Sequence, residues 1–182
     1  MSESASSMLK QEKKRHSPLE IVMSDTVPSW KRLLARRLPA LGHRNWIGIV
    51  DAAYPLQTGT GIETVVTGTA YLVVLKEVLN SVRRASHVRP RIIHDAELSL
   101  LSETLAPGVG ILREKLVKLL AEDAASSLPH EEIIGKLDAA AKLFHILIFK
   151  TTMTLPYTSV FLELDCGYWS DDAERVLRTS HS

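Results

Sequence analysis

Five consecutive apolar residues, Trp46-Ile47-Gly48-Ile49-Val50, constrain this chain more than any other stretch. They are rich in β-branched side chains and bounded by polar and turn-forming residues, the pattern of a buried strand in an α/β sheet. Gly42-His43 precedes the run and Asp51 closes it. Open α/β sheets bind ligands outside the carboxyl ends of their strands, so Asp51 stands where a ligand contact is expected. Ala52 and Ala53 leave room beside it, and Pro55 stops the strand from continuing. An aspartate at a strand end also serves as a turn former or as the N-cap of the next helix, so spacing alone leaves both readings of Asp51 open.

Around this strand the sequence alternates helical and extended signals. Residues 1–22 are rich in Ser, Lys and Glu without apolar periodicity, and read as a flexible extension before one domain over 23–182. Met23 is followed at once by a helix start, which makes it a candidate translation start. Asp25 or Thr26 can cap that helix, Pro28 suits its first turn, and Trp30, Leu33, Leu34 and Leu38 give it an apolar face. Lys31, Arg32, Arg36 and Arg37 read as its solvated face. The loop 56–61 carries Gly59 and Gly61, but no Lys-Ser/Thr follows and no helix starts behind it, so it is not a P-loop. It reads as a mobile loop beside the pocket.

Strands are expected over 62–66 and 88–93, with Pro90 marking an edge or an irregular start, and a helix over 71–82. His94 and Asp95 close the third strand at the same sheet end as Asp51, which makes them secondary site candidates. Asp95 as a plain helix cap is the competing reading. Ile111 to Ala121 is an amphipathic helix with Leu112, Leu116, Leu119 and Leu120 inward. Pro129-His130-Glu131-Glu132 opens another, His145 reads as a packed residue before a strand over 146–149, and a closing strand spans 160–164. Tyr168 and Trp169 are expected to dock the tail, and Ser170 or Asp171 to cap a final helix to about Leu177. The alternation predicts a single three-layer α/β/α domain with a mostly parallel sheet.

Gly42-His43, Asp51-Ala52 and Pro55, in that order around an apolar strand, resemble the D-ribose pyranases and L-fucose mutarotases. A second motif of that family, Pro-Tyr-x-Asn before an apolar strand, is matched by Pro156-Tyr157-Thr158-Ser159, with serine in place of asparagine. His130 resembles the family's substrate-contacting histidine at the head of a helix, although the spacer to the Pro-Tyr motif is longer here. The resemblance covers roughly Trp30 to Leu164. It implies His43 as the proton donor and Asp51, His130, Tyr157 and Ser159 as sugar contacts. It also implies a ring-like homo-oligomer with sites shared between subunits. An extended path from His43 to Asp51 covers roughly 25 Å, far more than a monosaccharide, so either Gly42 to Asn45 curls back towards the far end of the strand or different subunits supply the two groups, and the resemblance favours the second.

Interconverting the ring forms or anomers of a sugar opens and recloses a hemiacetal. A base takes the anomeric hydroxyl proton while an acid protonates the ring oxygen, so neither metal nor cofactor is required. The alternatives are a sugar- or metabolite-binding protein without rate enhancement, and an enzyme for another polyol that uses Thr151, Thr152 and Thr154. A net charge of +1 gives no field favouring nucleic acid or an anionic membrane, and no apolar run is long enough to span a bilayer. The seven histidines lack paired metal-ligand spacing. The single cysteine, Cys166, excludes an intramolecular disulfide and fits a reducing cytoplasm.

Overall fold

The computed structural model describes residues 28–180 of the 182-residue chain, so the expected extension, its boundary and the capping roles of Asp25 and Thr26 lie outside the described residues. Helix α1 (Ser29–Arg37) continues into a 3-10 turn (Leu38–Ala40) and leads to β1 (Trp46–Val50). Then come β2 (Ile62–Val66), α2 (Tyr71–Arg84), β3 (Val88–Asp95), a 3-10 turn (Ala96–Leu100) and α3 (Val109–Leu120). The chain continues with β4 (Ala125–Leu128), α4 (His130–Ala140), β5 (Ile146–Lys150), β6 (Val160–Cys166) and α5 (Asp171–Thr179).

The six strands form one sheet in the order β2-β5-β1-β6-β3-β4. β1 and β2 pair with β5 in parallel and β4 pairs with β3 in parallel, while β6 runs antiparallel to both β1 and β3. All strands but β6 therefore point the same way, and the sheet is mostly parallel as expected.

Period-two alternation sends the two sides of each strand into different cores. Ile47 and Ile49 of β1, Leu147 and Phe149 of β5, and Val160 and Leu162 of β6 meet Trp30, Leu34, Val78 and Leu112 from α1, α2 and α3. On the other face Trp46, Val50, Ile146, Ile148 and Phe161 meet Ile133 and Leu137 of α4. These two cores are the seams between the sheet and the helices on its two faces, as the expected α/β/α layering requires. Among the described residues no helix is long and apolar enough to cross a membrane.

Several expectations are corrected. The strand β4 was not expected, because Ala-Ser-Ser-Leu carries no apolar alternation; the ladder to β3 holds it in place. Pro90 lies in a strand interior to the sheet, but in its first part, which β4 does not reach, so the expected edge is a local one. The Ile92 amide points towards Ala124 beside β4, so Pro90, two residues earlier, aims its missing N–H at the same side beyond the end of β4. Tyr168 and Trp169 do not dock the tail: Tyr168 is largely exposed, and the Trp169 indole donates to Glu174 of the tail itself. Ser170 does cap α5, accepting from the Ala173 amide. The basic residues of α1 do face solvent, and two of them pair outwards, Lys31 with Glu77 and Arg37 with Glu63.

Gly48 shows how tightly the α4 face is packed. A Cβ there would stand 2.6 Å from Ile148 Cδ1 and 3.0 Å from the Phe161 ring, both fully buried. Gly48→Ala is therefore expected to cost about 1–3 kcal/mol by overpacking. The shift in urea midpoint measures it, and an unchanged midpoint would contradict this packing.

Candidate active site

The carboxyl ends of β1, β4 and β5 lie on one rim of the sheet, and the segments that follow them build an open cleft of about 480 Å³. Its walls include Asp51, Tyr54, His130, Thr154, Pro156 and Tyr157. The volume falls within the range of roughly 300–1,000 Å³ typical of small-molecule sites. Asp51 Oδ1 accepts from the Ala53 amide at 2.7 Å, a turn bond that fixes the carboxylate and leaves its second oxygen free of that bond. The Ala52 amide donates to the Met153 carbonyl at 2.7 Å, which ties the two loops bearing Asp51 and Tyr157 together.

His130 enters from the first turn of α4. Pro129 at the N-cap makes no side-chain cap, so Glu97 substitutes for one: its carboxylate accepts from the His130 amide at 3.0 and 3.1 Å. The imidazole is held from behind by Asp95, whose Oδ1 lies 2.9 Å from Nδ1. Asp95 occupies the cap position of the 3-10 turn without making a cap bond, so the plain capping reading does not apply. It is 1% exposed, and among the described residues its second oxygen has no hydrogen-bond partner. Burial pushes the Asp95 carboxyl above the usual carboxylate range, against the downward pull of His130 and the Ser159 amide.

Tyr157 stands edge-on to His130, with ring centroids 5.8 Å apart at 81°. Its φ of 55° puts a bulky residue in the left-handed region, a conformation found most often where surroundings impose it. Tyr54 forms the floor. Burial pushes its phenol pKa well up, with Asp138, Asp95 and Asp51 adding to the effect, so it stays protonated and donates to Gln57.

His43 is elsewhere. It sits before β1, at the opposite rim, in a turn that Asn45 closes by accepting from the Gly42 amide. Its Nδ1 lies 3.0 Å from Asp165 Oδ1 at the end of β6. Asp165 Oδ2 takes hydrogen bonds from Nε and Nη2 of both Arg89 and Arg91. Burial alone would raise the Asp165 pKa, but Arg89, Arg91 and the Cys166 amide reverse this and hold it well below the usual range. Arg44, next to His43, is the second non-glycine residue with positive φ, at 70°.

One chain thus brings Asp51, His130 and Tyr157 together and keeps His43 apart from them. Ser159 is 2% exposed and does not line the cleft. His94 turns to an apolar groove beside Leu98 and Leu116, away from the cleft. Thr151 bonds back to Val50 and Thr152 to Thr69, which leaves Thr154 as the member of that trio on the cleft wall. The loop 56–61 lines a separate depression with Asp138 and Lys142. His145 is half-buried, with Nε2 3.3 Å from Glu63. Sequence reasoning missed Asp165, Arg89 and Arg91. The pairing of His43 with Asp165 spans 122 positions and carries no local signal.

No family model matches the chain, and no curated protein does. Solved structures do. The chain is similar to Bacillus subtilis RbsD in complex with D-ribose at 24% identity and a TM-score of 0.50, covering 73% of this chain and 91% of that one. It is similar to the fucose mutarotase of Streptococcus pneumoniae in complex with L-fucose at 17% identity and a TM-score of 0.52, covering 78% and 97%. At these identities the likeness establishes the fold, the one that the motifs around His43, Asp51 and Tyr157 led us to expect.

The two buried carboxyls respond to pH in opposite senses. A pKa raised by folding, as at Asp95, favours the folded state below the unfolded value of about 4, and that contribution is lost as pH rises through the folded value. A pKa lowered by folding, as at Asp165, contributes above the unfolded value and is lost as pH falls towards the folded one. Between about pH 3 and 7, rising pH should therefore make Asp95→Asn gain stability relative to the unsubstituted chain and Asp165→Asn lose it. Tm measured across that range checks both, and three parallel curves would contradict the electrostatics.

Proposed function

We propose that this protein interconverts ring forms or anomers of a monosaccharide by general acid–base catalysis. The observation that carries the reading is His130 standing in an open cleft beside Asp51 and Tyr157, with the buried Asp95 bound behind it. With Nδ1 donating to the buried carboxylate, the ring keeps the tautomer that presents Nε2 as an acceptor, suited to taking the proton of an anomeric hydroxyl. Asp95 touches no substrate; it positions His130. The free oxygen of Asp51 accepts from sugar hydroxyls, and Tyr157 offers a phenol hydroxyl and a ring edge. That two solved structures of this fold hold D-ribose and L-fucose supports a monosaccharide as the ligand.

The ring oxygen needs an acid on its other side. In this reading His43 of a neighbouring copy supplies it, braced by Asp165 as His130 is by Asp95. Chain geometry favours this division, because His43 and Asp51 sit at opposite ends of β1. The competing reading, a sugar- or metabolite-binding protein without rate enhancement, draws on Ser159, which brings no group to the cleft wall.

Exchange spectroscopy on a panel of aldoses, measured by NMR, separates the two. His130→Ala and His43→Ala should each lower exchange by about 10²–10⁴-fold, the usual worth of one acid–base group. Mixing His43→Ala with Tyr157→Phe subunits should restore part of the rate. Full activity in His130→Ala would remove the cleft histidine from the mechanism, and sugar binding without exchange in the unsubstituted chain would favour the competing reading.

A further inference from the structure

The rim that carries His43 also carries more positive charge than its buried carboxylate needs. Arg89 and Arg91 leave β3 side by side and both grip Asp165 Oδ2, Nη2 of each at 2.7 Å. One carboxylate balances one guanidinium. The second charge is met by Asp171, the first residue of α5: Arg91 Nη2 lies 3.0 Å from both of its oxygens, and Arg89 Nη2 lies 3.6 Å from one. Glu163 adds a weaker field at Arg91.

Asp171 is a poor permanent partner. Its side chain is 70% exposed, and α5 buries none of its residues. Exposed pairs of this kind contribute little, and a nine-residue helix without a buried face has little stability of its own. The guanidiniums remain about half exposed, at 42% and 48%, as does His43 at 56%. Planar guanidinium forks suit carboxylate and phosphate oxygens. The chain's own Asp171 occupies the position such an oxygen pair would take.

We infer that Arg89 and Arg91 bind an anionic group of the substrate beside His43, and that Asp171 fills this subsite until the ligand displaces it. The substrate class is therefore an acidic monosaccharide, carrying a carboxylate or a phosphate. This rests on the reading of His43 as a group that meets the sugar. Displacement of Asp171 frees the tail, and Trp169, two residues before it, reports that release.

Calorimetry on the full chain with D-glucuronate, D-glucose 6-phosphate, D-glucose and inorganic phosphate tests the inference, with Trp169 emission followed in parallel and Trp169→Phe as its blank. The acidic sugars should bind about tenfold or more tightly than glucose, and Arg91→Gln should erase that difference. Asp165 keeps Arg89 in that variant, and Arg91→Lys, which retains charge without the fork, should recover part of the preference. Asp171→Asn, a mild surface change, should tighten the acidic sugars by about two- to fivefold and leave glucose unchanged. Equal binding of glucose and both acidic sugars overturns the inference, as does Asp171→Asn without effect or phosphate alone binding as well as the sugar phosphate. Exchange of neutral aldoses with no anion preference removes this inference and leaves the mutarotase reading standing. Arginine-dependent binding of acidic sugars with no exchange of any sugar sustains the subsite and counts against the mutarotase reading.

Discussion

Strand β6 runs against its two neighbours, and much of the architecture depends on that reversal. It joins a parallel trio, β2-β5-β1, to a parallel pair, β3-β4, across the middle of the sheet. Because it is antiparallel, its start lies with the carboxyl ends of the other strands and its end with their amino ends. Tyr157, shortly before it, is therefore delivered to the cleft, and Asp165, near its end, to His43. A parallel strand in the same slot would exchange these two deliveries. The strand can be central because Val160, Phe161 and Leu162 are fully buried and pack alternately into both cores.

His43 and His130 share one device: a buried aspartate bound to Nδ1. The surroundings of the two carboxyls differ sharply. Asp165 is surrounded by two guanidiniums and a backbone amide, so its charge is secure. Asp95 has His130 as its main support and, among the described residues, one oxygen without a hydrogen-bond partner, so its charge is held at a cost. A carboxyl kept at that cost has a reason to respond when the imidazole in front of it gains or loses a proton. The proposed function asks this of a group that orients a base, in contrast to a fixed structural ion.

Much of this was legible locally. The five residues of β1 and of β2 match the extended runs read from the sequence, because each is punctuated by glycine, proline or charge at both ends. The face of α2 follows from Leu75, Leu79 and Val82. What escaped was set by partners distant in sequence. Ala125–Leu128 is a strand because β3 offers it a ladder, not because of its own pattern. The tail was expected to be held by Tyr168 and Trp169, on the general ground that aromatics bury area. It is tethered instead by Asp171 on Arg89 and Arg91, two arginines of β3 that no local pattern singled out. For the cleft, the motif residues Asp51 and Tyr157 were visible as types in order, and the aspartate behind His130 was visible as an ambiguous cap. Choosing between cap and partner required knowing that α4 begins beside the end of β3.

The separation of the two histidines constrains any mechanism this chain can have. His43 precedes β1 and Asp51 follows it, and a five-residue strand with its flanks cannot fold its ends onto one another while both neighbours hold it in register. The turn at 42–45 offers no route back, since the Arg44 amide is bonded to the Leu164 carbonyl and the Leu164 amide to the Asn45 carbonyl. On the proposal that His43 and His130 act as acid and base on one sugar, two copies must therefore meet, the His43 rim of one against the cleft rim of another. A cleft this open, with His130 presented from one side, is suited to being completed in that way. The same logic gives the tail its place in the argument: α5 lies beyond the last strand, and its Asp171 reaches the rim that such a contact would bring to the ligand.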